Sequence, residues 1–216
     1  LPESIGRLRR LRVLYCDHCA RLRSLPDSLG NCSALQMLSC HSCATLESLP
    51  ESIGDCRALQ TIKCFVCREL RALPESIGDC RALQSINCNN CSRIRTLPAS
   101  MGNLKALRAL NCQFCGLEAL PDSIGNCWSL ETLDFTQCSR LETLPDSIGD
   151  CLSLKTLVCD GCTRLKSLPD SIGKCSKLQW LRCTDCWHLR HLPTSIKKCR
   201  GAKVYGPFDP STLPSP

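Results

Sequence analysis

Aromatic residues are scarce in this 216-residue chain: three Trp, two Tyr and four Phe make up 4% of it. A compact globule of that size ordinarily closes its core around several large rings. A core drawn from 43% apolar residues with so few of them must be assembled from many small, similar pieces. No run of about 18 apolar residues occurs, which excludes a membrane-spanning helix. No signal peptide is visible either, and the chain opens on Leu1-Pro2 instead of an initiator Met, so a piece of a longer protein is expected. Catalytic groupings are also missing. His18, His41, His188 and His191 are scattered, and there is no Ser-His-Asp set, P-loop or evenly spaced pair of carboxylates, so neither enzymatic activity nor a cofactor is expected.

What the chain has is repetition. Leu-Pro recurs at 1, 25, 49, 73, 97, 120, 144, 168 and 192, a period of 24 residues broken once by a 23-residue unit from Leu97 to Ala119, where the missing residue falls beside Gly116. A typical unit, Leu49 to Ala72, reads LPESIGDCRALQTIKCFVCRELRA, and LPESIGDCRALQ is identical at 49–60 and 73–84, through recent duplication or consensus design. Within each unit Leu-x-x-Leu-x-Cys, as in Leu11, Leu14 and Cys16, alternates like a short strand with one face buried. One such strand cannot bury its face alone, but strands of successive units stacked about 4.8 Å apart form a parallel sheet. Pro ends the strand side by fixing φ and removing a donor. Ser-Ile-Gly, as in Ser52, Ile53 and Gly54, then turns the chain back, through short 3₁₀ or irregular turns because the polar stretch is too short for a long helix.

The full pattern, Leu-x-x-Leu-x-Cys-x-x-Cys-x-x-Leu-x-x-Leu-Pro-x-x-Ile-Gly, resembles the leucine-rich repeat family over residues 1 to about 200. Among its subtypes it is most similar to the repeats of plant nucleotide-binding disease-resistance proteins, where Cys often replaces an Asn and Leu-Pro-x-x-Ile follows. The resemblance implies an α/β solenoid, a horseshoe with its parallel β-sheet on the concave face and short turns on the convex face. It also implies recognition of a protein partner on the concave face, within a larger intracellular protein with a part in plant defence. The expected organisation is a repeat domain over 1–206, with eight repeats and a degenerate ninth, then a Pro-rich tail over 207–216.

The chain's 22 cysteines depart from the family pattern and fall into three columns. The first, at a strand position where the family commonly has Leu, holds Cys16, Cys40, Cys64, Cys88, Cys112, Cys159 and Cys183. The second, at the Asn-like position, holds Cys19, Cys43, Cys67, Cys91, Cys115, Cys138, Cys162 and Cys186. The third, on the returning arm, holds Cys32, Cys56, Cys80, Cys127, Cys151, Cys175 and Cys199. All three are expected to point inward. Paired Cys-x-x-Cys from adjacent repeats could supply four thiolates to zinc or an iron–sulfur cluster, and the strand spacing falls within the range of a disulfide ladder. Phe135 replaces the first-column Cys, and Leu8 and Leu104 the third. These apolar replacements favour reduced thiols acting as small hydrophobes, with no bound metal. A second-column S–H can also donate weakly to a neighbouring carbonyl. So many reduced thiols point to the cytoplasm.

Function is sought where repeats differ. One outward column reads Tyr15, Ser39, Lys63, Asn87, Asn111, Asp134, Val158, Arg182, and its neighbour runs from Val13 and Met37 to Trp180. Phe65 and Phe114 lie just past the strands at the rim. Aromatics and Arg on a rigid surface are typical anchors, so the candidate partner-binding set is Tyr15, Met37, Lys63, Phe65, Asn87, Asn111, Phe114, Asp134, Trp180 and Arg182. The alternatives are a metal-binding Cys-x-x-Cys scaffold, or a structural repeat without an evolved ligand. Net charge is +7, with a basic lateral edge at Arg93, Arg95, Arg140, Arg164, Lys166 and Arg190. Glu47, Glu69, Glu118 and Glu142 interrupt that edge and no nucleic-acid motif accompanies it, which argues against nucleic acid as a partner. Because no capping unit precedes Leu1, the open first repeat invites end-to-end self-association.

Overall fold

The computed structural model describes residues 1–206. The tail expected over 207–216 lies outside the described residues. Among the described residues nine three-residue strands form one open parallel sheet in sequence order: β1 Val13–Tyr15, β2 Met37–Ser39, β3 Thr61–Lys63, β4 Ser85–Asn87, β5 Ala109–Asn111, β6 Thr132–Asp134, β7 Thr156–Val158, β8 Trp180–Arg182 and β9 Lys203–Tyr205. Every pairing is in register, Leu14 against Leu38, Leu38 against Ile62, and so on to Leu181 against Val204. Among the described residues nine 3₁₀ turns of five residues, from Glu3–Arg7 to Thr194–Lys198, form the opposite side. Among the described residues no helix is long and apolar enough to cross a membrane.

Each turn follows from its sequence. Pro50 is extended at φ −69° and ψ 148°, and its carbonyl accepts Ile53 N–H at 3.0 Å. Ile53 O then accepts Cys56 N–H, and Cys56 O accepts Leu59 N–H, a chain of i→i+3 bonds that carries the backbone to the next strand without an α-helix. Ile53, Cys56, Leu59, Ile62, Cys64, Cys67 and Leu70 are fully buried, so one repeat supplies a slice of the core and its neighbours close it. Gly54 is required where turns meet, since a Cβ there would come within 2.6 Å of the Ser76 carbonyl.

The thiols are free and, apart from Cys19, buried. Cys19 corrects the expectation that every column points inward: no earlier repeat of this chain covers it. The other second-column thiols each donate to the carbonyl of the first-column residue one repeat back, as Cys67 Sγ does to Cys40 O at 3.0 Å and Cys162 Sγ to Phe135 O at 3.2 Å. Third-column thiols donate to the turn carbonyl one repeat back, Cys80 Sγ to Ile53 O at 3.1 Å and Cys175 Sγ to Ile148 O at 3.4 Å. The sulfurs of these two columns are directed at carbonyls, not grouped around a common centre, and among the described residues no set of three or more His, Cys, Asp or Glu side chains is arranged to hold a metal. Thiols that donate to carbonyls fit the reduced-core reading.

The residue two places after the first column takes a left-handed backbone in repeat after repeat, with φ of 58° at His18, 60° at Val66, 59° at Asn90 and 56° at Phe114. Its N–H donates across to the next repeat, Val66 N–H to Asn89 O at 2.7 Å, so the conformation is held by the ladder. Gly161 meets the demand without strain, and Asn90 at little cost, but β-branched Val66 meets it poorly.

Three predictions follow from the backbone and the thiols. Val66→Asn is expected to raise unfolding free energy by about 1 kcal/mol, measured by urea denaturation, because it relieves left-handed strain while keeping the backbone bond. Burial pushes Cys56, Cys80, Cys151 and Cys175 from 9.0 up to about 12. The unfolded chain therefore loses these protons first. Their contribution is fully present below pH 9 and is lost as pH rises from there toward 12, so these four thiols leave stability unchanged near neutrality and lower it at alkaline pH. In native protein at pH 7.5 a thiol reagent should label Cys19, and the buried thiols only after unfolding.

Candidate recognition surface

Alternation along each strand puts the Leu, Ile or Val at its centre inward and the two flanking side chains outward, and pairing aligns them into two columns. One runs Val13, Met37, Thr61, Ser85, Ala109, Thr132, Thr156, Trp180, Lys203. The other runs Tyr15, Ser39, Lys63, Asn87, Asn111, Asp134, Val158, Arg182, Tyr205. Tyr15, Trp180 and Arg182 are exposed, while Met37, Lys63, Asn87, Asn111 and Asp134 are half-buried. Ser39 is an exception to the outward expectation. Its short side chain, between Tyr15 and Lys63, is 1% exposed and donates to Asp17 Oδ1 at 2.6 Å.

Much of the polar chemistry on this face is internal. Asp17 Oδ1 also accepts the His41 N–H at 3.0 Å. Asn87 Oδ1 accepts Asn89 N–H, and Asn89 Oδ1 accepts Gln113 N–H. Asp134 accepts the N–H and hydroxyl of Thr136 and the Gln113 amide at 2.6 Å, so this carboxylate is engaged in holding the loop after its own strand. Lys63 and Asn111 make no side-chain hydrogen bond among the described residues and keep their polar ends for solvent or a partner.

Rings gather at two places. On the rim of the early repeats His41 stacks on Phe65 with centroids 4.4 Å apart and planes 5° apart, and His18 meets His41 edge-on at 4.7 Å. Phe114 stands separately and is exposed. At the other end Trp180 and Tyr205 lie parallel within 8° at 6.1 Å. Lys203 Nζ sits 4.9 Å from the Trp180 ring and the Arg182 guanidinium 5.9 Å from the Tyr205 ring. Asp160 fixes this group: Oδ2 accepts Arg182 Nε at 2.7 Å and Oδ1 accepts Thr184 N–H at 2.8 Å. Tyr15 and Trp180 are seven strand steps apart, about 34 Å along the sheet at the usual spacing, so the ten candidates form two separate groups and a polar middle.

Lys203, Tyr205 and Asp160 belong to the second group although sequence reasoning passed over them. Lys203-Val204-Tyr205 stands where Leu-x-x-Leu is expected, so it reads as degenerate, yet its alternation matches Trp180-Leu181-Arg182 with Val204 in the core slot. On the lateral edge Glu47, Glu69, Glu118 and Glu142 each lie against an Arg or Lys, from Lys166–Glu142 at 2.6 Å to Arg71–Glu47 at 3.8 Å. The glutamates thus interleave with the basic edge, closely at Arg93 and Lys166 and loosely at Arg71 and Arg140.

Comparison with known proteins places this geometry. A family profile described as Leucine Rich Repeat matches residues 129–151. The solved leucine-rich repeat domain of the type III effector XopL is 30% identical, with a TM-score of 0.87, over 95% of this chain and 72% of that one. The chain belongs to the leucine-rich repeat family. A leucine-rich repeat protein of Leptospira interrogans is 25% identical with a TM-score of 0.54, over 93% of this chain and 61% of its own. The Toll–Spatzle complex of Drosophila shares the fold at 19% identity and a TM-score of 0.72, this chain spanning 30% of it. No curated protein sequence matches the chain. Members of the family generally serve as protein-interaction modules, so the exposed strand face of this leucine-rich repeat chain is where a partner is sought first.

Asp160→Ala should cost about 1 kcal/mol of stability in urea denaturation, because it leaves the Thr184 N–H without its acceptor. Arg182→Ala should stay within about 0.5 kcal/mol, since the ion pair it removes is half exposed. Equal costs would show that Asp160 acts only through Arg182.

Proposed function

We propose that this leucine-rich repeat chain is a non-catalytic recognition module of a larger intracellular protein, and that it binds a protein partner on its strand face through the β8–β9 end. The observation that carries this reading is the parallel Trp180–Tyr205 pair. These two large rings lie exposed against one another on adjoining strands, beyond a middle stretch of the face that is mostly small or polar, in a chain with few rings to spare. Trp, Tyr and Arg are the side chains that dominate binding energies, and rigid in-register strands present them with little ordering entropy left to lose. Arg182 and Lys203 beside the rings favour a partner segment with apolar and acidic side chains. The likeness to plant disease-resistance repeats supports immune-receptor-type sensing as the setting, and the load of reduced thiols supports a cytoplasmic location.

The test uses a partner captured from the source cell and then purified. Replacing Trp180 and Tyr205 with Ala opens no core cavity, so folding should change by no more than about 0.5 kcal/mol per site while partner affinity falls by about 2 kcal/mol or more. Leu181→Ala is the contrasting variant, expected to cost about 2–5 kcal/mol of stability through a buried cavity. Full affinity in the double variant, with loss in variants of the turn-side carboxylates Asp122, Asp146 and Asp170, would move the interface to the opposite face.

A further inference from the structure

The fifth repeat is one residue short, and the deficit sits at one place. Between the second-column cysteine and the next core Leu or Ile the fourth repeat has Ser92-Arg93 and the sixth has Ser139-Arg140, where the fifth has Gly116 alone. Gly116 closes the gap by lying on the Ser92 carbonyl, which a Cβ would approach to 2.5 Å. The fifth repeat therefore has no counterpart of Arg93 and Arg140, and its side chain on this part of the lateral edge is Glu118. An open notch of about 620 Å³ remains, lined by Arg71, Ser92, Arg93, Arg95 and Arg140.

The charges around the notch are unevenly matched. Glu69 meets Arg93 at 2.7 Å. Arg71 has Glu47 at 3.8 Å, and one carboxylate, Glu118, serves both Arg95 at 3.9 Å and Arg140 at 3.7 Å. Those three distances are too long for hydrogen bonds, so four guanidinium groups face three carboxylates and most of their donors point into open, half-exposed space. A guanidinium is a planar fork of N–H donors that matches the oxygens of a phosphate two at a time.

We propose that this notch binds a phosphate monoester, its oxygens held by Arg93 and Arg140 across the gap left by the fifth repeat, with Arg71 and Arg95 adding positive potential. The notch is larger than a phosphate and open to solvent, which leaves room for the group that carries it. A phosphorylated protein side chain and a free phosphorylated small molecule share this chemistry. The site lies on the lateral edge, so it is independent of the Trp180–Tyr205 face.

The experiment titrates the whole chain at low salt with O-phospho-L-tyrosine and, separately, with inorganic phosphate, by calorimetry. Saturable binding at one site is expected, weakened tenfold or more in the R93A/R140A variant. It should be unchanged in R164A/R190A, which removes edge cations outside the notch. A single alanine inserted after Gly116 restores the 24-residue spacing and should abolish binding, with circular dichroism checking that the sheet persists. Tighter binding of phosphotyrosine than of inorganic phosphate supports the site and assigns it to a phosphorylated side chain; equal affinities support it and assign it to the phosphate group alone. Absence of saturable binding by either probe, wild-type affinity in R93A/R140A, or an equal loss in R164A/R190A overturns the proposal.

Discussion

Register between neighbouring repeats is the constraint on which the rest of the structure depends. Pairing residue for residue along the strands fixes each repeat one strand spacing from the last, and the strand N–H groups and the second- and third-column thiols after Cys19 are then answered by the repeat beside them. The Cys91 thiol finds the Cys64 carbonyl, the Gln60 N–H finds the Gln36 carbonyl, and the Glu75 carboxylate receives the Ala99 and Ser100 N–H groups that open the fifth 3₁₀ turn. A Cys serves where Asn would, because at this spacing its sulfur reaches 3.0 Å from the acceptor, and in place of an amide it adds only apolar volume to the core. Glycine at the turn contact obeys the same rule: two turns cannot approach this closely over a side chain.

Because the constraint is periodic, most of the fold is legible in the sequence. A period of 24, an alternating Leu-x-Cys and a Pro that ends the strand side suffice to place the strands, the 3₁₀ turns and the two outward columns. What escapes is whatever breaks the period or depends on a neighbour. β9 carries Lys203-Val204-Tyr205 in place of the Leu pattern, and it forms because pairing with β8 asks only for an apolar residue at the centre. Ser39 is buried by the length of the residues beside it, a property of the stack and not of Ser. The left-handed position has no consistent residue type, passing through His, Ser, Val, Asn, Phe, Gln and Gly, because the backbone ladder imposes it whatever side chain it carries.

The same periodicity explains why the candidate site was only partly legible. Variation between repeats marks Trp180 and Arg182 as well as Asp134 and Asn87, but it does not separate a side chain held by its own loop from one left facing solvent. That distinction rests on distances, such as the Gln113 amide at 2.6 Å from Asp134, and these depend on which rotamer the adjoining repeat permits. Asp160 illustrates the converse: it is one of a column of unlike residues in sequence, and in the fold it orients the Arg182 guanidinium beside the rings.

A solenoid of this kind keeps two separate sets of positions. Core columns keep to apolar side chains, as where Phe135 and Leu104 replace Cys, and both are fully buried. Outward columns and the lateral edge are free to change residue by residue, and even by one residue in length, because the strand and turn on either side keep the register. A binding surface can therefore be remade without refolding the scaffold beneath it. The ordering cost of association falls mainly on surface side chains, and those already stacked or ion-paired, as Trp180, Tyr205 and Arg182 are, have part of that cost met before any partner arrives.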